Sequence, residues 1–253
     1  MPDEASLFQT SGLTWADRAA LNGLEAVLAP GGDWRLNTFL HGVHSYAART
    51  ALKHFRPGDS IIDFGCGIGR FSKFFASRQY RVLATDITFE MIARAKVECQ
   101  GKPVEFRLTN GIDIPVASGS IGGIWCCGVL RYSLFVTNPA YDAIAREMLR
   151  VLRPGGYVVN CEMYVDAEPD VFNEGFEAAG FETRGTQVLH RYGSRLERLT
   201  LHRFFPGMCV TVLGRISASW YAQIHNARCN VPGLRDYLFV WQKPVNPPKQ
   251  AQA

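Results

Sequence analysis

The stretch 60-SIIDFGCGIGRF-71 sets Gly65, Gly67 and Gly69 within five residues, directly behind an apolar run. Such a run predicts a buried strand, and the glycines predict a turn where a ligand reaches the backbone at the start of a helix. Three ligands compete for that turn. A phosphate-binding Walker loop needs G-x-x-x-x-G-K-[ST], and no lysine follows in that register. A dinucleotide turn prefers G-x-G-x-x-G, whereas the spacing here is G-x-G-x-G. Asp63, two residues before Gly65, would be a poor neighbour for a pyrophosphate. An acid at that point suits a ligand with a positive group, or a turn held by backbone N–H groups donating to the carboxylate.

On either side of this stretch the chain alternates. Strands are predicted over 60–64, 81–85, 104–108, 121–130, 156–165, 182–190 and 237–242, and helices over 14–29, 36–54, 68–78, 88–99, 139–152, 170–179 and 206–227. Short apolar runs alternating with helices predict an α/β chain with a mostly parallel, doubly wound sheet. The expected organisation is an N-terminal helical cover (1–55), a ligand-binding core (56–192), a helical insertion (193–236), a last strand (237–243) and a proline-rich, disordered tail (244–253).

Two further motifs narrow the ligand. Asp86 ends 81-RVLATD-86, twenty-one residues after Gly65, where a carboxylate can accept two ribose hydroxyls. The stretch 149-LRVLRPGGYVV-159 reads as a helix, a turn and a strand. With 61-IIDFGCGIGR-70 and 85-TDITFEMIARAK-96, these motifs resemble the class I S-adenosylmethionine-dependent methyltransferases of small-molecule type, over about residues 55–165. The resemblance implies a Rossmann-like sheet of seven strands with the last antiparallel, and S-adenosylmethionine as cofactor, leaving as S-adenosylhomocysteine. It implies the methionyl amino and carboxylate groups near Asp63, Gly65 and Gly67, ribose on Asp86, adenine beside Ile87 and Asn110, and further cofactor contacts at Cys66, Gly69, Gly111 and Ile112.

The chain departs from that pattern in three places. Asn110 stands where an acid often receives the adenine amino group, Ile121-Gly122 replaces a frequent Phe-Asp, and 130-LRYS-133 replaces a Leu-x-His. Tyr132, His44 and Tyr46 are the candidate catalytic groups, and His41, Arg131 and Glu162 the candidate substrate contacts. Since the methyl group of a sulfonium is already activated, alignment is the main task and no fixed catalytic constellation is expected.

Composition limits the alternatives. The seven cysteines form no C-x-x-C pair, so neither a zinc site nor any other metal is expected, and reduced thiols fit a cytoplasmic chain. The first ten residues, MPDEASLFQT, are acidic and carry no apolar run, as expected without a signal peptide. Residues 191–235 carry seven arginines, one acid (Glu197) and no lysine. Three uses are open for them: recognition of an anionic small molecule such as a sugar, contact of 204–228 with a membrane surface, or a lid with solvated arginines. Nucleic acid is not expected, because the arginines are scattered and no RNA-binding motif is present. The expected function is methyl transfer to a small-molecule acceptor by a monomer or homodimer. A non-catalytic partner subunit and an NAD-dependent oxidoreductase are the alternatives.

Overall fold

Strands form where β-branched, aromatic and other apolar residues recur: β1 (Ser60–Phe64), β2 (Arg81–Asp86), β3 (Val104–Leu108), β4 (Ile121–Cys127), β5 (Leu152–Val165), β6 (Glu182–Arg191) and β7 (Arg235–Gln242). The structure, a computed structural model, describes residues 13–131, 138–165, 169–192, 194, 197, 207–224 and 235–245. The sheet order is β3-β2-β1-β4-β5-β7-β6. β7 runs antiparallel to both β5 and β6, and the pairings from β3 to β5 are parallel. The expected doubly wound sheet with a reversed last strand is therefore present. The chain order reverses at β1, between β2 and β4, which is where open α/β sheets bind ligands.

Alternation along the strands divides the core between two faces. Ile61, Val82, Trp125, Val159 and Leu238 pack against helices α2 (Trp34–Ala51), α3 (Arg70–Ala76) and α7 (Gly207–Ile224). Ile62, Leu83, Ile124, Val158 and Phe239 pack against α5 (Asn138–Val151) and α6 (Asp170–Ala179). Helix α4 (Phe89–Glu98) covers the β2–β3 edge through Ile92 and Ala95.

Two predicted elements change shape. The helix expected over 14–29 is only α1 (Trp15–Ala19), capped by Thr14 and Asp17, followed by a 3-10 turn over Gly23–Ala26. Gly23, the first residue of that turn, takes φ 50°, a left-handed geometry that one continuous helix over 14–29 could not include. β5 starts four residues earlier than predicted, because the Pro154-Gly155-Gly156 turn is absorbed as an irregularity between the pairs Ile121↔Leu152 and Gly123↔Tyr157. The glycine at the departure Ile121-Gly122 has a physical use. A Cβ on Gly122 would stand 2.3 Å from the carboxyl carbon of Asp59, which bridges Arg153 at 3.0 Å.

The two cover elements meet at a glycine crossing. A Cβ on Gly214 would stand 2.2 Å from the carbonyl oxygen of Phe39, and one on Gly42 would stand 2.3 Å from that of Thr211. Helices α2 and α7 thus touch backbone to backbone, which fixes the insertion helix on the N-terminal cover. Gly214→Val is expected to lower the unfolding free energy by about 1–3 kcal/mol, read by urea denaturation. A change below about 0.5 kcal/mol would mean that the two helices separate freely.

Candidate functional site

The C-terminal ends of β1, β2 and β4 open into a cleft of about 990 Å³, part of it open to solvent. Its lining includes Asp63, Gly65, Cys66, Gly67, Arg70, Thr85, Asp86, Ile87, Gly111, Cys127 and Val129, with Trp15 and Val27 reaching in from the N-terminal segment. That segment is tied down by arginines. Arg94 of α4 donates to the carbonyls of Ala19, at 2.8 Å, and Leu21, and buried Arg18 donates to those of Ala26 (3.2 Å) and Leu28 (2.6 Å).

The glycine turn is built by conformation and by space. Gly65 and Gly67 have φ of 70° and 52°, a region that L side chains rarely adopt. A Cβ on Gly65 would stand 2.4 Å from Val129 Cγ2, and one on Gly67 would stand 2.8 Å from Val27 Cγ1. Three of the turn's N–H groups are already used: Cys66 N donates to Thr85 O (2.8 Å), Gly67 N to Asp86 Oδ2 (2.8 Å) and Gly69 N to Cys66 O (2.9 Å). A pyrophosphate site needs such donors free, so this turn does not fit one.

Asp86 also accepts from Thr88 N at 3.0 Å through Oδ1, so its two oxygens join the β1 turn to the start of α4. Burial pushes its pKa up, against the two backbone N–H groups that favour the charged form. A carboxylate has about four acceptor positions, which leaves room for ligand hydroxyls beside these bonds. Next to it, Ile87 is 59% exposed and touches the place a Cβ on Gly111 would fill, at 2.9 Å. Together they form an apolar slot at the rim. Thr85 Oγ1, in the same lining, is buried with no hydrogen-bond partner among the described residues.

Asp63 lies at the floor, where it accepts from Ser72 Oγ at 2.5 Å. Burial drives its pKa up to about 7, against Ser72 and Arg70. Arg70 faces the cleft from the first turn of α3, with its guanidinium 3.3 Å from His41 Nδ1 and 3.5 Å from His44 Nδ1. Burial and the Arg70 charge hold His41 down at about 3, so this imidazole is neutral at physiological pH. His44 is fully buried, and its Nε2 lies 3.4 Å from Asp236 Oδ2. Burial alone would lower its pKa, but Cys127 and Asp236 outweigh it and raise it to about 9.

The remaining predicted residues are distributed unevenly. Asn110 turns its carbonyl oxygen onto the N–H groups of Ile112 (3.0 Å) and Asp113 (2.8 Å), forming a local turn outside the cleft lining. Ile112 packs against the core. Tyr46 packs against the α2 side of the sheet, away from the cleft. Arg131 is buried and donates to Met163 O at 3.1 Å. Glu162, fully buried, accepts from the N–H groups of Leu130 (3.1 Å) and Arg131 (3.2 Å), and so anchors the turn that brings Val129 against Gly65. Tyr132 lies outside the described residues, as do Arg195, Arg198, Arg203 and Arg228. Trp15, Val27 and Cys127 were not predicted to line the site. The tryptophan and valine come from the helix expected over 14–29 within the N-terminal cover, where neither is singled out as a contact, and the thiol is placed by strand register alone.

Residues 62–160 match a family described as a methyltransferase domain. Over 128 residues the chain is 27% identical to demethylmenaquinone methyltransferase from Desulfitobacterium hafniense (strain Y51), covering 48% of each chain. The chain spans half or less of the length of the curated relatives it matches. Among solved structures it resembles geranyl diphosphate C-methyltransferase from Streptomyces coelicolor A3(2), in complex with Mg2+, geranyl-S-thiolodiphosphate and S-adenosyl-L-homocysteine. That likeness has TM-score 0.54 and 14% identity, over 79% of this chain and 76% of the other. It also resembles the [4+2]-cyclase SpnF, with TM-score 0.55 and 21% identity, over 83% and 82%. These likenesses establish the fold.

Burial raises the carboxyl of Glu162 to about 7, against the neighbouring Arg131, from an ordinary value of 4.5. The folded state therefore holds the proton more tightly, and stability falls as pH rises from about 4.5 to 7. Glu162→Gln removes this dependence. Relative to the parent, its stability is expected to improve between pH 4.5 and 7.5, read by urea unfolding across that range. A difference that does not change with pH would mean that Glu162 ionises as readily folded as unfolded.

Proposed function

We propose that the chain, whose residues 62–160 match a methyltransferase domain, is an S-adenosylmethionine-dependent methyltransferase acting on a small molecule. One observation carries this reading: the glycine turn spends three of its N–H groups on Thr85, Asp86 and Cys66 while leaving Asp86 and the exposed Ile87 at the rim. The arrangement disfavours a pyrophosphate and suits an adenosine with a free ribose edge.

In this reading Asp86 accepts the ribose hydroxyls, and Ile87 with Gly111 covers the adenine. The Arg70 guanidinium offsets the methionyl carboxylate. Asp63, titrating near neutrality, sits where the amino group would lie and gains a reason to ionise when a cation arrives. Bound there, the cofactor supplies a methyl group on a positively charged sulfur, ready for in-line displacement. The chain's part is to align the acceptor and exclude water, through the wall of Gly128 and Val129 and the Trp15–Val27 cover. His41, held neutral and weakly basic, is suited to a polar contact with the acceptor rather than to taking its proton.

The relatives' names point to small, partly isoprenoid acceptors. The seven arginines of 191–235 support an anionic one, because a guanidinium fork matches phosphate and carboxylate.

Thermal unfolding tests the assignment. At a hundredfold excess over its dissociation constant, S-adenosylhomocysteine is expected to add about 2.7 kcal/mol, or roughly 5–10 °C, while NAD adds nothing. Asp86→Ala should weaken that binding about tenfold or more by removing charge-assisted hydrogen bonds. A shift with NAD alone would identify an oxidoreductase. A shift with neither ligand would overturn the cofactor reading and leave a partner subunit.

A further inference from the structure

Cys127, the last residue of β4, is half-buried and lines the wall of the cleft. Its sulfur is surrounded by groups from five elements. Arg70 Nη2 of α3 lies 3.6 Å from Sγ and 3.5 Å from His44 Nδ1, and the imidazole of His44 in α2 also hydrogen-bonds to that sulfur. The opposite imidazole nitrogen rests on Asp236 of β7 at 3.4 Å, and Tyr192 O–H donates to the other Asp236 oxygen at 2.8 Å. Cys161 of β5 is the register partner of Cys127 and hydrogen-bonds to it. Asp63 of β1, in the same lining, and Glu162 of β5 both interact electrostatically with the sulfur.

We propose that Cys127 is a nucleophilic thiolate, paired with His44 and Arg70, and a site of covalent modification by peroxides and soft alkylating electrophiles that enter the cleft.

The charges around it agree. Burial alone would raise the thiol, but Cys161, His44 and Arg70 bring it well below its ordinary value. The two nearby acids that would oppose a thiolate, Asp63 and Glu162, are raised by burial to about 7 each. The negative charge of Asp236 is turned toward His44, which favours the imidazolium and through it the thiolate. The other described cysteines lack this setting: Cys126 and Cys161 are fully buried with thiols pushed up, and so is the thiol of Cys66. With a peroxide, the sulfur lone pair attacks one oxygen and the O–O bond breaks. Hydroxide leaves and takes a proton, so the cysteine is oxidised to a sulfenic acid and the peroxide is reduced to water. With iodoacetamide, a thioether forms and iodide leaves.

Cys209, exposed on α7, is an internal reference for a solvent-accessible cysteine outside the cleft. The full chain would be exposed briefly to iodoacetamide between pH 6 and 9, and modification at each cysteine followed by peptide mass spectrometry. Fragment ions separate Cys126 from Cys127. Near pH 6.5, Cys127 is expected to react about tenfold or more faster than Cys209, because the thiolate and not the thiol is the nucleophile. The advantage should narrow towards pH 9. Arg70→Met and His44→Gln, each checked for a native melt, should slow Cys127 and leave Cys209 unchanged. If Cys127 reacts no faster than Cys209 at pH 6.5, or the ratio stays flat with pH in the parent chain, the proposal is wrong.

Discussion

The bond from the Gly67 N–H to the Asp86 carboxylate, 2.8 Å long, joins the turn after β1 to the end of β2. Much of the cleft depends on it. The turn can close on Asp86 only because Gly65 and Gly67 adopt left-handed geometry and carry no Cβ to strike Val129 and Val27. With the turn closed, the carboxylate is held at the rim by Gly67 and Thr88, and Ile87 is left projecting beside it. A partly buried acid retained in this way is costly unless its oxygens are bonded, which is why the backbone supplies two donors.

The opposite wall depends on a second buried acid. Glu162 collects the N–H groups of Leu130 and Arg131, and so sets the turn that presses Val129 towards Gly65. Arg131 adds a bond from its guanidinium to Met163 O and offsets part of the charge. These two residues shape the wall from within the protein. Around them Asp63, Arg70, His41, His44, Cys127 and Asp236 form a compact set of ionisable groups at the floor, where each group's protonation follows from its neighbours as much as from burial.

The cover has its own logic. Arg94 and Arg18 satisfy four carbonyls of a segment that has little regular structure, which holds Trp15 and Val27 over the cleft. The glycine crossing of Gly42 and Gly214 then binds the insertion helix to α2. Among the described residues, no helix is long and apolar enough to cross a membrane.

The sequence by itself determined the alternation of strands and helices, the reversed last strand through its family resemblance, and the glycine turn with Asp63 and Asp86. These are local signals: an apolar period, glycine spacing, and an acid at a strand end. Only the tertiary structure decided that Asn110 spends its carbonyl on its own turn, that Glu162 and Arg131 lie beneath the wall, that Cys127 meets Arg70 and His44, and that His44 meets Asp236. His44 and Asp236 are 192 residues apart, and no periodicity spans that distance. The contact comes from packing α2 across β4 and β7, where sheet order and strand register determine which side chains share a face.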